Sequence, residues 1–288
     1  MSIFTLKIIA LLTMILDHIG AYIQGTPEIL RCIGRISAPL FLFCSVQGYK
    51  NTPKKQKYIW RIYIFSIFMG IVDAVFYVNA NFIRIIFLTV VIIALIDSLI
   101  QKNQFAKRNI VLFVIWQVIW GGVLGYYFLT YYIEIPESIL FILLPALGSP
   151  LFMEYGLFFV ILGICMYYFG NSKKILSCIY VIITGITFLL QNTAILSRLV
   201  NKIAFCVQNI YGLGEFVWQM ADLLCDGLFD IDIRFLENST SSSIQWMMIL
   251  ALPLFLRYNG EKGRNLKWIF YIMYPANIIL LRILGMII

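Results

Sequence analysis

The sequence predicts an all-α, polytopic helical membrane protein, and three observations carry that prediction. Hydrophobic residues make up 61% of the 288-residue chain and charged residues 12%, where a soluble domain averages about 25% charged. Apolar runs of roughly 18–22 residues follow one another from end to end, each long enough to cross the hydrocarbon layer as a helix. The lysines and arginines gather in four short segments: Lys50/Lys54/Lys55/Lys57/Arg61, Lys102/Lys107/Arg108, Lys173/Lys174, and Arg257/Lys262/Arg264/Lys267. The acids collect in other loops. By the positive-inside rule the basic loops and the N-terminus are cytoplasmic, in a multi-pass protein of the cell membrane. The expectation is about nine transmembrane helices plus a re-entrant or interfacial segment, forming a single transmembrane domain over 1–288.

Composition also excludes function classes. The net charge of +8 is accounted for by topology, so no nucleic-acid partner is implied. Six cysteines show neither CxxC nor Cys/His spacing, and with one histidine in the chain a zinc site is not expected. Residues 2–24 are too long for a cleavable signal peptide and lack a small-residue cleavage site.

The first span covers about 3–23, from Lys7 inside to the Gln24-Gly25-Thr26-Pro27 break outside. The second begins near Arg35 and runs inward to Gln47-Gly48-Tyr49. The third (about 58–78) returns outward with Asp73 near its end, facing Arg84 across a short turn, where a structural ion pair is expected. The fourth (about 82–100) and fifth (about 109–132) follow, the latter with tyrosines near its outer end. Pro136, Pro145, Gly148 and Pro150 interrupt 133–152, which reads as re-entrant or surface-lying. The sixth and seventh spans cover about 153–170 and 175–193.

Residues 194–243 form an extracytoplasmic amphipathic insertion. Glu215, Gln219, Asp222 and Asp226 make one polar face, opposed by Phe216, Val217, Met220, Leu223 and Leu224. Cys206 and Cys225 within it are placed to bridge its two helical pieces in an oxidising compartment. An eighth span (about 244–256) and a ninth (about 268–288) close the chain.

One stretch of the first span points to chemistry: Asp17 beside His18, the only histidine. Titratable groups in hydrocarbon cost roughly 2.5–3.5 kcal/mol on insertion scales, so they are rare and face interiors. Histidine titrates nearest neutrality and suits proton transfer. Adjacent helical positions point about 100° apart, so Asp17 does not orient His18 directly and needs a partner on another helix. Arg35, entering from the same side at similar depth, is the first candidate. The alternatives are a polar pair that only joins helices and an arginine that snorkels to headgroups.

Several segments together resemble the TraX family, membrane proteins named for the acetylase of conjugative pilin. They are Leu6-Lys7-Ile8-Ile9-Ala10 through Met14-Ile15-Leu16-Asp17-His18-Ile19-Gly20, Ile33-Gly34-Arg35 with Pro39-Leu40-Phe41, Gln47-Gly48-Tyr49 with Thr52, and Lys57-Tyr58-Ile59 with Arg61. A weaker match at Glu154-Tyr155-Gly156 precedes Tyr258-Asn259-Gly260 with Gly263, and Phe270-Tyr271 with Tyr274-Pro275. The resemblance is good over about 1–65 and 244–280 and weak between. Gln47 and Glu154 depart from the family pattern, which has an acid and an aspartate there. Asn277 departs more seriously, standing where the final helix usually carries a histidine after Tyr-Pro.

The resemblance implies acetyl transfer from acetyl-CoA to an exported acceptor, a peptide amine or an envelope glycan, beside membrane lipid. Such transfer needs a base and donors for the developing oxyanion. His18 is the available base, and Asp17, Arg35 and Asn277 complete the expected catalytic set. Lys54, Lys55, Lys57, Arg61, Arg257, Asn259, Lys262 and Arg264 lie on the side where the CoA phosphates would be held. The rival readings are a non-catalytic membrane binder of immunity type and a small transporter using Asp17-His18 as a proton relay.

Overall fold

The computed structural model describes residues 1–131, 136–208, 212–233, 243–264 and 267–287. The described residues are helices and connecting turns. In chain order the helices are α1 (Ile3–Tyr22), α2 (Ile29–Gly34), α3 (Ser37–Lys50), α4 (Lys55–Phe76), α5 (Phe82–Ile100), α6 (Ala106–Tyr131), α7 (Glu137–Leu147), α8 (Gly156–Phe169), α9 (Lys173–Asn192), α10 (Ile195–Val207) and α11 (Leu213–Phe229). A 3₁₀ segment (Gln245–Ala251), α12 (Leu252–Leu256) and α13 (Lys267–Ile287) follow.

Seven helices are long and apolar enough to cross a membrane, α2 and α3 counting as one. The chain is therefore an all-α, multi-pass membrane protein. The sixth expected span is shorter than anticipated, and the eighth is as short as expected. α8 has 14 residues, about 21 Å of helix at 1.5 Å per residue. The 3₁₀ segment and α12 together make a similarly short apolar rod. Packing supplies what length does not: α8 lies against α3, α5 and α9, and the 3₁₀ segment against α3 and α9.

The centre is built by α1, α3, α5 and α8, where Leu6, Leu40, Leu42, Ile85, Ile93, Leu162 and Met166 are fully buried. α6 is the opposite case. Val111, Leu112, Val114, Ile115, Val118 and Ile119 are all exposed, as suits a helix solvated by lipid rather than water. The break between α2 and α3 follows from Pro39. With no N–H, Pro39 leaves the Arg35 carbonyl without its helical partner, and the chain tightens there.

α7 is too short to cross a membrane. Its 11 residues cover about 16 Å, roughly half the hydrocarbon layer. It lies along α4 and ends at Gly148, whose φ of 61° is the left-handed cap that glycine adopts freely. The carbonyls freed at that end are met by side chains: Tyr63 Oη donates to Ala146 O at 2.6 Å, Trp116 Nε1 to Leu147 O at 2.9 Å and Gln117 Nε2 to Gly148 O at 3.0 Å. The irregular backbone at this end of α7 is thus covered by protein.

In the insertion, α10 and α11 pack together over a small core of Val200, Ile231 and Ile233, joined by Trp218 and Cys225. On α11, Phe216 and Leu224 of the expected apolar face are exposed. The expected Cys206–Cys225 bridge is not formed, and all six cysteines are free. Cys225 turns into the insertion core while Cys206 faces outward.

The Asp73–Arg84 ion pair is also not made among the described residues. Arg84 instead donates from Nη2 to the Phe152 carbonyl, and Asp73 is buried with Oδ1 unpartnered.

Candidate active site

Asp17 and His18 leave α1 in different directions, and each finds a partner on a different helix. Asp17 is buried, and both its carboxylate oxygens accept from Arg35 Nη2, at 2.6 and 2.8 Å. The approach is close because Gly34 has no side chain. A Cβ there would lie 2.3 Å from the Asp17 Cβ. Arg31 reaches the same carboxylate at 3.4 Å from a more exposed position.

Arg35 is itself buried and committed. Its Nη1 donates to Gln245 Oε1 at 3.0 Å and Tyr155 Oη at 3.4 Å, and the guanidinium lies over the Tyr155 ring. A buried charge needs this many partners to offset its lost hydration. Arg35 thus holds Asp17 and ties α2, α8 and the 3₁₀ segment together, which leaves only its Nε without a partner. Tyr155 reaches this place through a left-handed backbone, φ 69°, steadied where its N–H donates to Asp230 Oδ2 at 3.1 Å. A side-chain hydrogen bond joins Glu154 to Tyr155.

His18 faces α13. Its Nδ1 lies 2.7 Å from Asn277 Nδ2, and its ring sits 5.7 Å from that of Tyr22. Turning the Asn277 amide by 180° puts Oδ1 in the same place, and the two orientations select opposite imidazole tautomers. Pro275, inside α13, frees the Tyr271 carbonyl and loosens the helix just before Asn277.

A basic cavity opens at the other end of α1. It measures about 400 Å³ and is lined by Lys7, Tyr58, Arg61, Lys262 and Arg264. The 257–264 loop is fixed over it by the first turn of α1, where Ile3 N donates to Glu261 O at 2.9 Å and Phe4 N to Lys262 O at 3.2 Å. Those are orphan donors of a helix N-terminus, and the loop satisfies them. A second cavity of about 110 Å³ shares Lys7, Cys44, Tyr58 and Arg61 with the first and continues inward to Phe82 and Tyr274. Tyr274 is one helical turn from Asn277.

Of the eight positions expected to hold a nucleotide, Arg61, Lys262 and Arg264 line this path. Lys55 does not, because Asp97 Oδ2 takes it at 3.1 Å among Tyr49, Tyr167 and Tyr168. Lys54, Lys57 and Arg257 are exposed outside it. Asn259 uses its side-chain oxygen to accept from Glu261 N at 3.2 Å. Lys7, Tyr58, Tyr155 and Gln245 also belong to the two sites, although residue type and spacing do not mark them as site residues. The motif stretches contain the first three, and nothing in the sequence points to Gln245.

Two curated relatives match short stretches. The chain is 35% identical over 80 residues to "Probable fimbrial assembly protein FimC, serogroup H1" of Dichelobacter nodosus, covering 26% of this chain and 31% of the relative. It is 33% identical over 72 residues to "Uncharacterized protein RP591" of Rickettsia prowazekii (strain Madrid E), covering 25% and 27%. The chain thus spans under a third of either relative's length. No solved structure matches. The family described as TraX protein matches residues 2–224, including the middle of the chain, where the motifs are weak, and stopping short of the C-terminal motifs. With that match running over most of its length, the chain belongs to the TraX family.

Proposed function

We propose that this protein is an integral-membrane acyltransferase that moves an acetyl group from cytoplasmic acetyl-CoA to an exported peptide amine or envelope glycan, with His18 as general base. The observation that supports the reading is a pair of adjoining cavities that lead from a cationic mouth to Tyr274, one helical turn before the Asn277 that contacts His18. Lys7, Arg61, Lys262 and Arg264 suit the phosphates of CoA. Lys7 and His18 are eleven residues apart on one helix, about 16 Å, a distance an extended pantetheine arm can cover. Family membership and the name of the fimbrial relative agree with an exported acceptor.

In this reading Asn277 Oδ1 accepts from His18 Nδ1–H, which leaves the Nε2 lone pair free. Nε2 takes the proton of the acceptor N–H or O–H as the new C–N or C–O bond forms at the thioester carbonyl. The tetrahedral intermediate collapses with cleavage of C–S, and the imidazolium returns the proton to the departing CoA thiolate. Asn277 Nδ2, turned away from the ring, is free to donate to the oxyanion. Arg35 positions Asp17 and does not reach the oxyanion, its terminal nitrogens being occupied.

The test is transfer from labelled acetyl-CoA to exported peptide and glycan fractions, with wild type and His18→Ala in parallel. Transfer that depends on His18 is expected. Full activity in His18→Ala would remove the base and the mechanism with it, and no transfer by either protein would favour a binder.

A further inference from the structure

A separate cleft of about 310 Å³ opens on the flank of the bundle, among α4, α5, α6 and the inward end of α7. Its walls include Trp60, Tyr63, Phe87, Val91, Phe113 and Trp116. The polar groups at its edge already hold α7, with Tyr63, Trp116 and Gln117 donating to the carbonyls of 146–148. A guest that fills it must therefore be largely hydrocarbon, because a buried polar group would find little to bond. Trp60 is 63% and Trp116 45% exposed, so the cleft is open sideways, at a depth where the surroundings are lipid.

Charge narrows the guest further. α4 and α6 both run into the membrane from the basic end of the molecule, and exposed Lys57 and Arg108 sit in their first turns. Lys57 precedes Trp60 by about 4.5 Å and Arg108 precedes Trp116 by about 12 Å along their helices. That is the vertical order of a phosphate above its acyl chain.

We propose that this cleft binds one acyl chain of an anionic phospholipid from the leaflet at the basic end, with the headgroup phosphate held by Lys57 and Arg108. The bound chain packs against the Gly148 turn, seven residues before Tyr155, and so braces the segment that positions Arg35. The site is independent of the acyltransfer reading.

Native mass spectrometry of the full chain, released from detergent with added phosphatidylglycerol or phosphatidylcholine, tests it. Wild type is expected to retain one phosphatidylglycerol in preference to phosphatidylcholine. Val91→Trp, which fills the cleft and keeps the charges, is expected to lose the bound lipid. Lys57→Ala with Arg108→Ala, two surface changes that leave the cleft open, is expected to bind either lipid without preference. Retention of phosphatidylglycerol by a folded Val91→Trp protein, or an unchanged preference in the double variant, would overturn the proposal. Should Val91→Trp fail to fold, the double variant alone decides.

Discussion

His18 and Asn277 are 259 positions apart in sequence and 2.7 Å apart in space. The final helix thus reaches the one histidine with an amide, where the family resemblance leads one to expect an imidazole. An amide can fix a ring and its tautomer but cannot carry a proton, so of these two residues only His18 can accept one.

Asn277→Ala is accordingly expected to slow transfer by about 10- to 100-fold, the effect of losing an orienting partner, with little change in the KM for acetyl-CoA. His18→Ala is expected to cost about 10²–10⁴-fold, the usual contribution of general acid–base catalysis. Steady-state kinetics separates them. An Asn277→Ala protein as active as wild type would detach Asn277 from the base.

Breaking the Asp17–Arg35 pair should act on folding before it acts on chemistry. Asp17→Asn leaves the buried Arg35 charge without its counter-ion and with one acceptor oxygen in place of two, a loss of about 3–5 kcal/mol for a buried pair. Arg35→Lys should not rescue, since an ammonium cannot serve Asp17, Gln245 and Tyr155 together. Thermal unfolding in detergent measures both variants against wild type.

Gly34→Ala tests the close approach that makes the pair possible. The added Cβ would meet Asp17 Cβ at 2.3 Å and Oδ1 at 2.5 Å, so α2 must move away from α1. Overpacking of this kind costs about 1–3 kcal/mol. A lowered Tm is expected, while an alanine at the unconstrained Gly121 should leave it unchanged.

The cationic residues divide into two groups. Alanine at Arg61, Lys262 or Arg264 is expected to raise the KM for acetyl-CoA severalfold, and more steeply at low salt. Lys55→Ala should spare KM and lower stability instead, because Lys55 holds Asp97. A raised KM in Lys55→Ala with normal Tm would contradict this division.

Orientation is open to cysteine-accessibility labelling in a cysteine-free background. An impermeant external reagent is expected to spare residues 57 and 262 and to modify 198 and 202 in the insertion. Labelling at 57 or 262 from outside would invert the topology and place the basic cavity on the wrong side for cytoplasmic CoA.

What the sequence determined by itself was fold class and depth. Hydropathy reports how far along the membrane normal each residue lies. That is why the spans, the broken, non-spanning character of 133–152, and the shared depth of Asp17 and Arg35 are legible in the order of residues alone. Azimuth is not legible there, because a helix that is apolar all round does not announce which side faces its neighbours. Only the tertiary structure turned His18 toward Asn277, put Lys55 on Asp97 rather than beside Lys262, and sent Arg84 to a carbonyl instead of Asp73. It also gathered Lys7 and Tyr58, spaced widely in the chain, into one cavity with Arg61. In hydrocarbon the hydrophobic effect does not choose a helix's inner face, so close packing at positions such as Gly34 and a few polar pairs make that choice. Those contacts exist only once the helices are assembled.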